Sequence, residues 1–234
     1  MKRTVAVIAV VFMLAGCGWP RDAAGTLADV RGGVLRVGLT ESPPWTSMPD
    51  SGKPVGADVR LVERLADRLD ARVQWYAGSE SVLMPALKGR ALDLVVGGLD
   101  AKSPWMSEAS LTRPYVTMRT VVAAPPGTTV PPDLDGMRVA VQAGTAEVAA
   151  LTAENAEVVA VPEVTGREGM PVVVGEWRLA ELGLARSAHE VGKLDHVWAV
   201  PPGENGWQVE VERFLLGLSH ADVMELLAEA EAVT

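Results

Sequence analysis

Residues 34–45 read VLRVGLTESPPW, and residues 57–76 read ADVRLVERLADRLDARVQWY. In the first run Val34-Leu35-Arg36-Val37-Gly38 alternates and predicts a strand. A Pro/Ser/Gly-rich loop, Thr40 to Pro54, follows it. Asp58 stands as the expected N-cap of a helix whose buried face is Leu61, Val62, Leu65, Ala66 and Leu69. Val73 to Tyr76 predicts a second strand. Strand, loop, helix and strand within some forty residues is a βαβ unit, which implies an α/β fold with parallel sheets.

The pattern extends in both directions. Pro85 is expected to open a short helix that stops at Gly89. Leu92 to Val96 is a near-continuous apolar run, as in a strand buried on both faces. Met118 to Ala124 predicts another strand, and the prolines and glycine between Pro125 and Pro132 break the chain. A second β/α set then follows: strand Met137–Val141, helix Ala146–Ala153, strand Val158–Val161, strand Pro171–Val174, helix Trp177–Leu182 and strand His196–Val200. Val209–Leu218 and Ala221–Ala230 are expected as closing helices. The fold class read from this is α/β in two lobes.

Composition excludes several classes. Three His and one Cys leave no His/Cys metal cluster and no disulfide framework, and no cofactor is expected. A net charge of −9 argues against a nucleic-acid partner, because phosphate recognition needs a basic footprint. No nucleophile elbow of the GxSxG type occurs, and His189, His196 and His220 fall in the late segments, away from the predicted cleft loops. The chain is therefore not read as an enzyme. Seven of the eleven aromatics are Trp.

Residues 1–17, MKRTVAVIAVVFMLAGC, carry a positive start, an apolar run too short to span a bilayer, and Leu-Ala-Gly-Cys. This resembles the lipobox of bacterial lipoproteins. The resemblance implies a signal peptide over 1–16, lipidation of Cys17, and an extracytoplasmic protein anchored to the cell membrane through that lipid. Residues 17–33 are expected to be a flexible tether.

The stretches LRVGLTESPPW, GKPVGADVRLVERLADRL, PALKGRALDLVVGGL, LTRPY, DLDGMRVAVQAGTAE, PVVVGEWRLAELG and VWAVPPGENGW, in that order, resemble the extracellular solute-binding proteins of family 3. That family has the type II periplasmic-binding-protein fold. The resemblance covers roughly residues 34–218. It implies two lobes joined by two hinge strands, with crossings near Tyr115–Val122 and Asp195–Val200. Lobe 1 would be 34–118 plus 198–234, and lobe 2 would be 119–197. It further implies a monomer that captures a small polar solute, an amino acid or amine, for the membrane permease of an ABC transporter. A sensor or accessory lipoprotein with a degenerate cleft is the alternative.

The resemblance also implies ligand-binding positions. Trp45 would stack on the ligand, or else anchor its loop in the core. The arginine with which the family clamps a carboxylate falls on Trp105, and the family's hydroxyl positions fall on Asp100 and Lys102. The clamp is therefore absent, and Lys102 could replace its charge but not its bidentate geometry. With the clamp gone, Trp45, Trp105, Asp100 and Glu41 could hold a cation by ring faces and carboxylates. Asp100 also reads as a turn residue, and Trp105 as packing under the hinge. Thr145 opens a helix whose N–H groups face the ligand in the family. Glu176 falls where the family has an acid for the ligand's amino group, or is a helix-start Glu. Arg113 reads as a structural ion pair. Between Val161 and Pro171 the chain has PEVTGREGM where the family has a full helix, so lobe 2 is reduced and its sheet edge less covered.

Overall fold

The computed structural model describes residues 21–49 and 52–231. The proposed signal peptide and Cys17 lie outside the described residues. Two five-stranded sheets, each flanked by helices, form two lobes.

The first lobe begins with α1 (Thr26–Val30), β1 (Val34–Leu39), α2 (Ala57–Arg68), β2 (Arg72–Ala77), α3 (Glu80–Lys88), β3 (Leu94–Val96) and β4 (Ser110–Leu111). Its sheet is completed by β10 (Ala199–Val200), and α5 (Asn205–Leu215) and α6 (His220–Glu231) close it. The strand order is β2-β1-β3-β10-β4, with β2-β1-β3 parallel and β10 antiparallel to both neighbours. The second lobe holds β5 (Val116–Ala124), β6 (Arg138–Gln142), α4 (Ala146–Ala153), β7 (Glu157–Val161), β8 (Val172–Gly175) and β9 (Ala185–His196). Its order is β7-β6-β8-β5-β9. The sheets are thus mixed, not wholly parallel. The parallel part is the βαβ core, and the antiparallel part is where the chain enters on β5 and returns on β9.

The predicted apolar face of α2 is the buried one: Leu61, Val62, Leu65 and Ala66 pack with Leu35, Val37 and Leu39 of β1. Each fully buried Leu or Val there contributes roughly 1.5–3 kcal/mol.

Several expectations are corrected. Gly56, not Asp58, is the N-cap of α2. The first N–H groups of this helix, on Ala57 and Asp58, donate to the carbonyls of Pro44 and Trp45, so no side-chain cap is needed. A β-carbon on Gly56 would sit 2.3 Å from the Trp45 carbonyl oxygen. The helix expected from Pro85 starts at Glu80 and contains Pro85. Pro85 forfeits one bond, to the Ser81 carbonyl, while burial of Leu83, Met84 and Leu87 holds the helix. The helix expected at Trp177–Leu182 is only a 3-10 turn, Glu176–Arg178, followed by turns up to Gly183 at φ 63°. The strand expected at His196–Val200 is two strands, and most of β9 was not anticipated. Its sequence ARSAHEVGKLDH has no apolar alternation, and it is held as a strand by its antiparallel register with β5.

From Arg21 onward the expected tether is docked chain. Glu204 accepts from the N–H groups of Ala24 and Thr26, Asp22 accepts from Leu27 and Trp207, and Val30 is buried. In the second lobe no helix lies between β7 and β8, as the short PEVTGREGM segment implies. The sheet is nonetheless covered there, since Val164 from that loop is buried against Ala123, Ala140, Val172 and Val174.

Candidate functional site

The parallel strands of each lobe end at a loop edge, which is where open α/β sheets place ligands. In the first lobe, β1 runs into Thr40–Trp45 and β3 into Gly97-Gly98. One buried carboxylate organises this edge. Asp58 is fully buried; its Oδ2 accepts from the N–H groups of Gly97 and Gly98, 3.2 Å each. Its Oδ1 accepts from Tyr115 Oη at 2.7 Å and Trp198 Nε1 at 2.8 Å. Burial pushes the Asp58 carboxyl upward, and the four donors pull it back. The same burial and the Asp58 charge hold Tyr115 protonated, as its donor role requires. Tyr115 stands just before β5 and Trp198 just after β9, so Asp58 ties the loop edge to both segments on which the chain passes between the sheets. Gly97 at φ 134° has no room for a side chain, because a β-carbon would sit 2.0 Å from Thr40 Oγ1.

A cleft of about 260 Å³ lies between the lobes. The cis Pro43-Pro44 pair and Glu231, at the end of α6, face it from the first lobe. Thr120, Gln142, Thr145, Glu147 and the 3-10 turn face it from the second, over a floor of Val141, Val173 and Val174. Trp177 packs against the first lobe's core, and Arg178 Nε lies 3.0 Å from Glu231, so the turn bridges the lobes. Trp177 lies flat on Gly175, where a β-carbon would meet its ring at 2.4 Å. A wider recess of about 770 Å³, lined by Thr40–Ser42, Ala77–Ser81 and Gly97-Gly98, sits on the other side of the same loop.

The residues expected to bind ligand are spread over three places. Thr145 lines the cleft, and its hydroxyl donates to the Gln142 carbonyl at 3.0 Å. Glu176 sits beside it, mostly buried, accepting from the Arg119 N–H and paired with Arg119 and Arg186 at 4.0 and 3.6 Å. Trp45 is 4% exposed and packs in the first lobe's core against Tyr115 and His196. Asp100 pairs with His196 by a strand bridge and accepts from the Lys102 N–H, the turn role open in its sequence. Lys102 is exposed. Trp105 packs beside α3, and its indole N–H donates to Glu80. Arg113 forms the structural pair anticipated for it, with Glu212 at 3.1 Å.

The sequence reading passed over three groups. Glu147 and Trp177 were seen only as parts of helix starts. His196 was placed away from the cleft loops, whereas its ring stacks on Trp45 of the β1–α2 loop at 4.0 Å. His196 is 2% exposed, its Nδ1 has no partner, and burial pushes it down to about 4 against the upward pull of Asp100 and Asp195.

Comparison with known proteins follows this geometry. Residues 35–228 match the model of the bacterial extracellular solute-binding proteins, family 3. The chain is 31% identical over 104 residues to ABC transporter arginine-binding protein 1 of Escherichia coli K12, which spans 44% of this chain and 43% of that protein. It is 25% identical over 106 residues to the lysine/arginine/ornithine-binding periplasmic protein of the same organism, spanning 45% of this chain and 41% of that protein. The chain thus spans under half the length of these two relatives. Among solved structures it resembles an ancestral cationic amino acid solute-binding protein, with TM-score 0.69 and 20% identity over 87% of this chain and 98% of that one. It also resembles the unliganded, open L-cystine solute receptor of Neisseria gonorrhoeae, with TM-score 0.69 and 18% identity over 87% and 94%. At such identities these two structures speak to the fold alone.

Proposed function

The chain belongs to the bacterial extracellular solute-binding proteins, family 3, and from that premise we propose that it captures a small polar, amine-containing solute between its lobes and delivers it to the permease of an ABC transporter. The observation that carries this reading is the interlobe cleft, set at the strand ends and roofed by Pro43-Pro44. Its relatives include proteins named for binding arginine, lysine and ornithine, which supports an amine-bearing solute. Lobe 1 is 34–118 with 198–234, joined by the docked segment 21–33, and lobe 2 is 119–197, with β5 starting in the outgoing crossing; the hinges are the crossings that Asp58 holds. Thr145 touches the solute. Trp45, Asp100, Lys102, Trp105 and Glu176 shape the loops and hinge around it. The protein acts as a monomer, held at the outer face of the cell membrane through lipid on Cys17.

The test is a thermal-shift screen of the full-length protein in detergent against amino acids, amines, quaternary ammonium compounds and small acids. A solute at 100 times its Kd stabilises the fold by about 2.7 kcal/mol. If no compound raises the melting temperature, solute capture fails, and the sensor or accessory reading, favoured by the loop that replaces a lobe 2 helix, takes its place. Lipidation is tested separately: Cys17→Ser releases the protein into the soluble fraction if the anchor is real.

A further inference from the structure

Resting on the solute-capture reading, we propose that the solute is a small organic cation without a carboxylate, and that Glu147 receives its ammonium group. Arg178 is the one basic side chain among the described residues that line it. Its charge is balanced by acids, with Glu231 at 3.0 Å, Glu181 at 3.7 Å and Glu163 at 3.8 Å, although Nε makes no hydrogen bond, and only 15% of the side chain is exposed. The position on which the family's carboxylate clamp falls is Trp105, whose N–H is given to Glu80. No base is left to hold an entering carboxylate.

The acids divide in the opposite sense. Glu176 is neutralised by Arg119 and Arg186, and Glu231 by Arg178. The Glu147 carboxylate makes no hydrogen bond or ion pair with any described residue. Its carboxylate lies by the bare backbone of Gly192, where a β-carbon would stand 3.6 Å from both Glu147 Oε1 and Thr120 Oγ1. An acid and a hydroxyl thus converge on one open spot, the set of acceptors an ammonium group requires. Glu147 also stands in the first turn of α4, so its own negative charge already meets the amides that would otherwise attract an anion. A carboxylate entering there faces a like charge. The valine floor and Trp177 offer apolar surface to a short alkyl stem. The net charge of −9 draws cations to the protein.

Calorimetric titration of the full-length protein in detergent with matched pairs decides this: cadaverine against lysine, putrescine against ornithine, agmatine against arginine. At least one amine should bind roughly 100-fold more tightly than its amino acid, a fraction of the discrimination a site with unmatched polar groups reaches. Glu147→Gln should weaken that amine roughly 10- to 100-fold, the range for a charge-assisted bond, without lowering the melting temperature. Amino acids binding as tightly as their amines would overturn the inference and leave solute capture standing. Unchanged amine affinity in Glu147→Gln would overturn the role of Glu147. Absence of binding by either class and by the wider panel would overturn both.

Discussion

Replacing Asp58 by Asn changes one oxygen to an NH₂ group at a site where all four partners are donors. The carboxylate accepts from Tyr115 Oη, Trp198 Nε1, Gly97 N and Gly98 N. An amide can serve only one of the two pairs, so two buried donors lose their acceptor, at roughly 1–3 kcal/mol each. Removing a buried charge returns part of this, because burial had disfavoured the ionised form. The net expectation is a loss of about 2–4 kcal/mol. For a chain of this size that lowers the melting temperature by roughly 5–15 °C. Urea denaturation followed by tryptophan fluorescence measures it, and Trp198 reports on the site itself. A double-mutant cycle sharpens the test: Tyr115→Phe should cost about 1 kcal/mol less in the Asp58→Asn background than in the wild type. A loss under about 0.5 kcal/mol for Asp58→Asn, or strict additivity with Tyr115→Phe, would refute the account of Asp58 as the shared acceptor of these four donors.

Other expectations follow from neighbouring residues. His196 titrates near 4 in the folded chain against 6.5 when exposed, so the fold has its full stability from this group above pH 6.5 and loses about 3 kcal/mol of it as pH falls to 4; His196→Gln should flatten that part of the stability–pH curve. Trp45→Ala should cost about 3–5 kcal/mol in chemical denaturation, because the indole is core against Tyr115 and His196; an unchanged midpoint would show that its packing is dispensable. Gly97→Ala should lower the yield of folded protein or cost at least about 2 kcal/mol, since the β-carbon would collide with Thr40 Oγ1 and the φ of 134° suits glycine alone. Glu231→Gln should cost roughly 1–2 kcal/mol, since the pair is mostly buried but Arg178 keeps Glu163 and Glu181, while loosening the interlobe contact, read as an increase in radius of gyration by small-angle scattering.

The central elements were legible because their burial leaves a periodic mark. The face of α2 and the apolar run that became β3 follow from spacing alone. The family was legible from the order of seven stretches, none of which is decisive by itself. The resemblance to that family also implies that its arginine clamp falls on Trp105. The site itself was less legible. Trp45 could be read as ligand wall or core, and only packing chooses; the chain turns its ring inward, onto His196 from a segment 151 positions later.

What residue types and spacing determined by themselves was the α/β order and the two lobes, since these depend on local periodicity; the shortened second lobe came from the resemblance to the family. What only the tertiary structure decided was the partnership of each polar group. Asp58 looks like a cap in sequence and becomes a buried acceptor, because the carbonyls of Pro44 and Trp45 satisfy the helix start in its stead. Glu176 and Glu147 look alike in sequence, yet one is neutralised by arginines on β5 and β9 and the other is left free beside Gly192. Charge pairing acts over a few ångströms in space, and separation along the chain carries no record of it.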